Sequence, residues 1–298
     1  MPQTPLIDQI IEIRWHGRGG QGAVTSAELV AHAAIREGKY AQAMPSFGPE
    51  RRGAPVLAYN RVSAQNPIRT RAPVTEPDIV VVLEPNLLSI SDITSGLKRN
   101  GTIVVNSGKD IEDLKSDIGD FWRLAVVNGT SIAKELLGVP IVNTTMIGAL
   151  IKASGIIALE SMEEPLSERF GGKAKININA CQKAFKETLI IEPSADSSRE
   201  RKIFPTDKLP GWKDIITGNV ITEAGNASGY RTGDWSSQLT EFNYDRCIKC
   251  GLCYIFCPEG CIEPFGDGYY KANNYYCKGC GICAKECPAN VITMIEES

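Results

Sequence analysis

The chain has 298 residues, enough for one large core and one small satellite. Its composition, 43% apolar and 22% charged, is that of a globular protein, and a net charge of −3 argues against nucleic acid as the main partner. The longest apolar stretch, residues 146–159, contains Lys152 and is too short to cross a bilayer, so no membrane partner is expected.

Residues 10–15, I-I-E-I-R-W, read as a first strand. A glycine-rich turn, H-G-R-G-G-Q-G, follows over 16–22. The next fifteen residues carry apolar side chains at helical spacing, and Gly38 suits the C-terminal cap. Residues 40–44 read as a short second strand, and 45–53, with two prolines and two glycines, as a loop. Residues 54–62 continue as a strand.

Residues 78–83, D-I-V-V-V-L, are the near-continuous β-branched run of a buried parallel strand, and 101–106 and 124–128 repeat that pattern. Helices are expected over 130–137, 144–159 and 174–189, with short ones between the strands. This alternation predicts an α/β layered N-terminal domain, residues 1–192, whose sheet is covered on both faces.

Residues 193–240 are rich in Ser, Asp, Pro, Gly and Asn, with little periodicity. They read as an extended inter-domain arm that packs on a partner through Trp212, Tyr230 and Trp235, the alternative being a mobile linker.

Residues 241–298 hold eight acids and five bases, a net of −3, so the preceding residues balance to zero. The cysteines concentrate here. C-I-K-C-G-L-C-Y-I-F-C-P starts at Cys247, and C-K-G-C-G-I-C-A-K-E-C-P starts at Cys277, offset by 30 residues. Each run is C-x2-C-x2-C-x3-C-P, the bacterial spacing for cubane clusters, where the fourth Cys of each run ligates the other cluster. Cys247, Cys250, Cys253 and Cys287 are therefore expected to hold one [4Fe-4S] cluster, and Cys277, Cys280, Cys283 and Cys257 the second.

Zinc would call for C-x2-C pairs set 15–20 residues apart, which four cysteines in eleven residues fit poorly. The fold expected for 241–298 is a small α+β two-cluster bacterial ferredoxin-like domain. Cys181 and Cys261 are left over and read as packing residues. Lys249 and Lys278 read as counterparts in the two runs, with solvation as their default role. Free thiolates and the absence of a cationic, apolar leader point to the reducing cytoplasm.

Gly17, Gly19 and Gly22 match G-x-G-x-x-G between a strand and a helix, where glycines let phosphate approach backbone N–H groups. The acidic residue that would bind a ribose is missing from the end of the second strand, so a nicotinamide dinucleotide is disfavoured. A nest for another anion and a plain tight turn stay open. Arg51 and Arg52, in the Pro/Gly frame of the second loop, suit phosphate or carboxylate recognition and suit a subunit interface equally. No nucleophile elbow or Ser/His/Asp set appears. His16 and His32 are the only histidines.

W-H-G-R-G-G-Q-G-A-V-T-S-A-E-L (15–29), G-K-Y-A-Q-A (38–43), F-G-P-E-R-R-G-A-P-V (47–56) and P-I-V-N-T-T-M-I-G-A-L (140–150) resemble the gamma subunit of 2-oxoacid:ferredoxin oxidoreductases. T-G-D-W (232–235) followed by the double cysteine run resembles that family's delta subunit. The chain is thus similar to a gamma–delta fusion, with the pyruvate-type wording closest and an oxalate-type relative next.

The resemblance implies an electron-transfer and assembly subunit with no catalytic residue of its own. Thiamine diphosphate and Mg would sit on alpha and beta partner subunits, and electrons would leave to soluble ferredoxin. It associates the gamma domain with coenzyme A, a contact that the loops of Gly17, Gly19, Gly20 and Gly22 and of Arg51 and Arg52 would make. Gly266-Asp-Gly268 lies between the cysteine runs and reads as a turn, not a thiamine motif. The reading from another class is an NAD(P)H-dependent reductase with its own ferredoxin domain, which the missing acid opposes.

Overall fold

The structure is a computed structural model that describes residues 10–46, 54–193, 211, 213, 218, 222–236 and 238–296. Two compact units divide the chain, Met1–Ala195 and Asp196–Ser298.

The first unit is organised on a seven-stranded sheet of order β2-β3-β1-β4-β5-β6-β7. Strands β1 (Ile11–Arg18), β4 (Ile79–Val82), β5 (Thr102–Asn106) and β6 (Arg123–Val127) run parallel. β3 (Pro55–Ser63) lies antiparallel between β1 and β2 (Tyr40–Ser46), and β7 (Leu189–Ile191) closes the other edge antiparallel to β6. β2 runs through Pro45 to Ser46, two residues beyond the expected strand end. It is an edge strand, where the missing N–H of proline is tolerated.

The β-branched runs alternate between two cores. Ile79, Val81, Leu83, Val104 and Ala125 point into one; Val80, Val82, Ile103, Val105 and Leu124 point into the other. On the first face pack α1 (Ala23–Arg36), α4 (Gly129–Leu137), α5 (Asn143–Ser154), α6 (Glu163–Phe170) and α7 (Ala174–Glu187). The second face is covered by α2 (Leu87–Ile90), α3 (Ile111–Ile118) and the segment carrying Ile93 and Leu97. Burying both faces of a parallel sheet is what selects unbroken apolar strands rather than alternating ones.

Helix α5 is buried on nearly every side, from Asn143 to Ile151. It ends at Ser154 rather than at residue 159, because Gly155 at φ 63° is a left-handed cap. Cys181, on α7, is buried as expected, and burial pushes its thiol up to about 12, which makes it inert.

Asn60 carries a large share of the polar order in this core. It is fully buried, accepts from Trp15 Nε1 at 2.8 Å, and donates to Ala27 O at 2.8 Å and Gln42 O at 3.1 Å. One amide thus ties β1, α1 and β2 together. Asn60→Ala strands the indole N–H in an apolar core, so a loss of about 2–3 kcal/mol is expected, read from chemical denaturation followed by far-UV circular dichroism.

The second unit is two halves of one pattern. β8 (Gln238–Phe242), the first cysteine run and β9 (Ile262–Phe265) are followed by β10 (Tyr269–Ala272), the second run and β11 (Ile292–Glu296). Each ladder takes one strand from each half, β8 with β11 and β9 with β10, both antiparallel. β8 starts at Gln238, inside the stretch read from sequence as the arm.

Its buried core is small: Cys283, Val291 and Ile292, with Phe242 and several cysteines against them. So small a core needs staples or a bound group for stability. Residues 232–235 form a 3-10 turn fastened to the lead-in of the second run, with Gly233 N donating to Tyr275 O at 2.8 Å and Thr232 Oγ1 to Tyr276 O at 2.7 Å. Trp235 meets Tyr230 edge-on at 5.7 Å and lies under Lys278 Nζ at 4.2 Å. Trp235 is therefore engaged within its own unit, while Trp212 lies outside the described residues. Among the described residues no helix is long and apolar enough to cross a membrane.

Candidate iron–sulfur centres

Each cysteine run bends in the same places. Lys249 (φ 57°) and Gly279 (φ 63°) are left-handed, as are Gly251 (φ 72°) and Gly281 (φ 76°), which open the one-turn helices α8 (Leu252–Ile255) and α9 (Ile282–Lys285). These reversals turn successive thiols inward over a few residues. They also correct one expected pairing. Lys249 is the counterpart of Gly279, and Lys278 that of Ile248, so the two lysines are not equivalent.

Lys249 holds its unfavourable backbone by donating to Asp267 O at 2.7 Å and by lying over the Tyr269 ring at 4.1 Å. Lys278 pairs with Glu259 at 3.0 Å and with Trp235. Gly266 and Gly268, both at positive φ, make the β9–β10 turn.

The thiols gather in two recesses. Cys247, Cys250, Cys253 and Cys287 line one, with Phe242, Tyr270, Val291 and Ile292. Cys257, Cys277, Cys280 and Cys283 line the other, with Thr240, Cys261 and Ile262. In both, three thiols come from one run and the fourth from the other. Four soft thiolates of the two runs at each recess, with no imidazole beside them and the one carboxylate, Glu259 at the second, paired with Lys278, suit an iron–sulfur cubane.

Cys261 is the residue whose place sequence alone did not reveal. It is buried, and its Sγ lies 3.5 Å from Cys257 Sγ. A hydrogen bond from the Cys261 thiol, opposed by burial, holds Cys277 below the ordinary thiol range, which favours the thiolate that a metal ligand requires. The same bond, burial, and the nearby Cys257 push Cys261 upward, so it keeps its proton.

In the first unit, Gly17 lies inside β1 opposite Val56, so the turn begins at Gly19. The N–H groups of Arg18, Gly19 and Gln21 are bonded inside the fold, to Gln21 Oε1, Ala54 O and Arg18 O. Gln21 Nε2 donates to Glu84 Oε2, which fixes the turn to the end of β4. Gly22, at φ 85°, caps α1, and a Cβ there would stand 2.9 Å from Asn143 Nδ2. Close packing of α1 against α5 thus accounts for Gly22, while Gly20 is exposed at φ 101° with open space around it. Arg51 and Arg52 lie outside the described residues.

His16 is buried in β1 on the face opposite Trp15, and its Nε2 accepts from Arg14 Nε at 3.0 Å. Arg14 also donates to Ile93 O at 2.9 Å and Ser95 O at 2.6 Å. Burial, then the neighbouring guanidinium, push His16 down to about 3, although Asp92 opposes this. A folded-state value below the unfolded value of about 6.5 means the unfolded chain binds the extra proton between these limits. Stability should therefore fall as pH drops from about 7 toward 3, with His16 accounting for about 2 kcal/mol by pH 5. The His16→Gln chain, compared by urea unfolding at pH 7 and pH 5, should show that much less pH dependence.

Comparison with known proteins covers both units. Residues 12–187 match the pyruvate ferredoxin/flavodoxin oxidoreductase family, and residues 241–294 match the 4Fe-4S dicluster domain. The pyruvate/ketoisovalerate oxidoreductases common subunit gamma of Thermococcus litoralis is 49% identical over 185 residues, 61% of this chain and 100% of that protein. The pyruvate synthase subunit PorC of Methanothermobacter thermautotrophicus is 46% identical over 179 residues, 60% of this chain and 96% of that protein. Among solved structures, the pyruvate oxidoreductase subunit PORC of Thermotoga maritima is similar with a TM-score of 0.56 and 38% identity, covering 62% of this chain and 99% of that one. A sheet domain alike in sequence and fold to these gamma subunits, continued in one chain by a two-recess thiol domain, places the protein: it belongs to the pyruvate ferredoxin/flavodoxin oxidoreductase family.

Proposed function

We propose that this chain is the fused gamma–delta electron-transfer and assembly subunit of a pyruvate-type 2-oxoacid:ferredoxin oxidoreductase in the cytoplasm. The observation that carries the reading is the presence, in one polypeptide, of the family's sheet domain and two recesses, each lined by four thiols of the two cysteine runs, with Cys261 a fifth thiol at the second. Cys247, Cys250, Cys253 and Cys287 would hold one [4Fe-4S] cluster, and Cys257, Cys277, Cys280 and Cys283 the other. Such clusters, when bound, supply one-electron carriers.

The chain's own residues bend the runs, exclude water behind the thiols, and fasten residues 232–235 to the second run. Oxidative decarboxylation would take place on thiamine diphosphate and Mg held by alpha and beta partner subunits, and soluble ferredoxin would receive the electrons. Coenzyme A contact falls to the exposed turn at Gly20 and to Arg51 and Arg52.

The test is purification from the native host, followed by ferredoxin-reduction assays of the complex with pyruvate, oxalate, 2-oxoglutarate and a branched-chain oxoacid, each with and without coenzyme A. Two larger partners and pyruvate turnover dependent on coenzyme A are expected. A chain of 32.4 kDa that runs alone, or clusters reduced by NAD(P)H without partners, would overturn the reading. Turnover of oxalate without coenzyme A would move it to the oxalate type.

A further inference from the structure

The two halves of the second unit correspond at an offset of 30 residues, and the backbone shows which residue answers Cys261. Asn243 N donates to Val291 O at 2.8 Å, and Asn273 N donates to Cys261 O at 2.8 Å. Both residues are buried, 7% and 3% exposed, each at the wall of one recess. Equivalent places thus hold an isopropyl group beside one set of ligands and a thiol beside the other. The surroundings differ as well. Ile248 and Ala289 flank the first recess, where their counterparts Lys278 and Glu259 form an ion pair at the second.

We propose that Cys261 is a positioning residue that separates the two clusters in potential. Its S–H donates to ligand sulfur in the second recess, so the cluster held by Cys257, Cys277, Cys280 and Cys283 is reduced at the higher potential. Val291 offers the first recess no such donor. The inference rests on the cluster reading above.

Hydrogen bonds to cluster sulfur are one of the means by which a protein sets potential, because the bond strengthens as the sulfur gains electron density on reduction. Cys261 Sγ stands 3.5 Å from Cys257 Sγ, within reach for a sulfur donor, and its burial keeps water from replacing it. Reduction adds one electron to the cluster. No covalent bond forms or breaks at Cys261. Electrons then run downhill from the first recess to the second.

The full chain, reconstituted with iron and sulfide, is titrated by electron paramagnetic resonance in four forms: unaltered, Cys261→Val, Cys261→Ser and Val291→Cys. Two separated midpoints are expected in the unaltered chain. Cys261→Val should shift the higher one to lower potential and leave the other in place, at unchanged iron content. Cys261→Ser, which keeps a donor, should preserve most of the separation. Val291→Cys should raise the lower midpoint. Coincident midpoints in the unaltered chain overturn the proposal, as does a fully loaded Cys261→Val chain whose higher midpoint does not move. If Cys261→Val loses iron, Val291→Cys decides, and an unmoved lower midpoint counts against the proposal. An unaltered chain that takes up fewer than two cubanes overturns the cluster reading itself, which separates the two failures.

Discussion

Cys257→Ser should remove the cluster shared with Cys277, Cys280 and Cys283, and leave the one beside Cys247 intact. Cys257 is eleventh in a run whose first three cysteines face the other recess, yet its thiol lines the recess of the second run. Serine is a poor substitute for a soft thiolate at iron. Iron content should therefore fall from about eight to about four atoms per chain. A pair of double variants identifies which cluster is gone. Cys257→Ser combined with Cys277→Ser should lose no more iron than the single variant, since both residues serve one recess. Cys257→Ser combined with Cys247→Ser should lose nearly all of it. The reverse pattern would mean that each run ligates its own cluster and that the recesses do not report ligation.

Gly148→Ala should be among the most damaging single-methyl changes in the first unit. A Cβ at Gly148 would stand 2.1 Å from the carbonyl oxygen of Cys181 and 3.1 Å from Phe185 N. Both obstacles are backbone, so no side chain can swing away. Helices α5 and α7 would have to separate along an interface that is buried on both sides. Overpacking of this kind costs about 3 kcal/mol. That corresponds to a fall of about 6–12 °C in melting temperature for a domain of this size. Thermal unfolding of the full chain by circular dichroism measures it. An unchanged midpoint would show that the helices part without loss and that their close approach is incidental.

Local pattern made the parallel strands and the cysteine runs legible, because both depend on spacing along the chain. The β-branched runs can only be strands buried on both faces, and the doubled C-x2-C-x2-C-x3-C-P places its own repeat. The end of α5 was legible in principle at Gly155, yet the apolar residues beyond it masked the stop. The glycine turn was harder to read. Gly19 to Gly22 have the look of a phosphate loop, but three of the local N–H groups are spent within the fold, and Gly22 is explained by Asn143. Nothing at residues 16–22 announces Asn143, which lies more than a hundred residues away.

The residues that share a cluster recess illustrate the same division. Ligand type and number follow from the sequence, since thiolate chemistry is a property of cysteine and the repeat is visible as letters. The inequivalence of the two recesses does not. Cys261 gains a role only because β9 and β10 bring it between Cys257 and Cys277, while the matching backbone bonds show that Val291 stands in the same place on the other side. Burial, hydrogen bonding to sulfur and charge near a thiolate depend on contacts between residues distant in the chain, so only the tertiary structure could decide them.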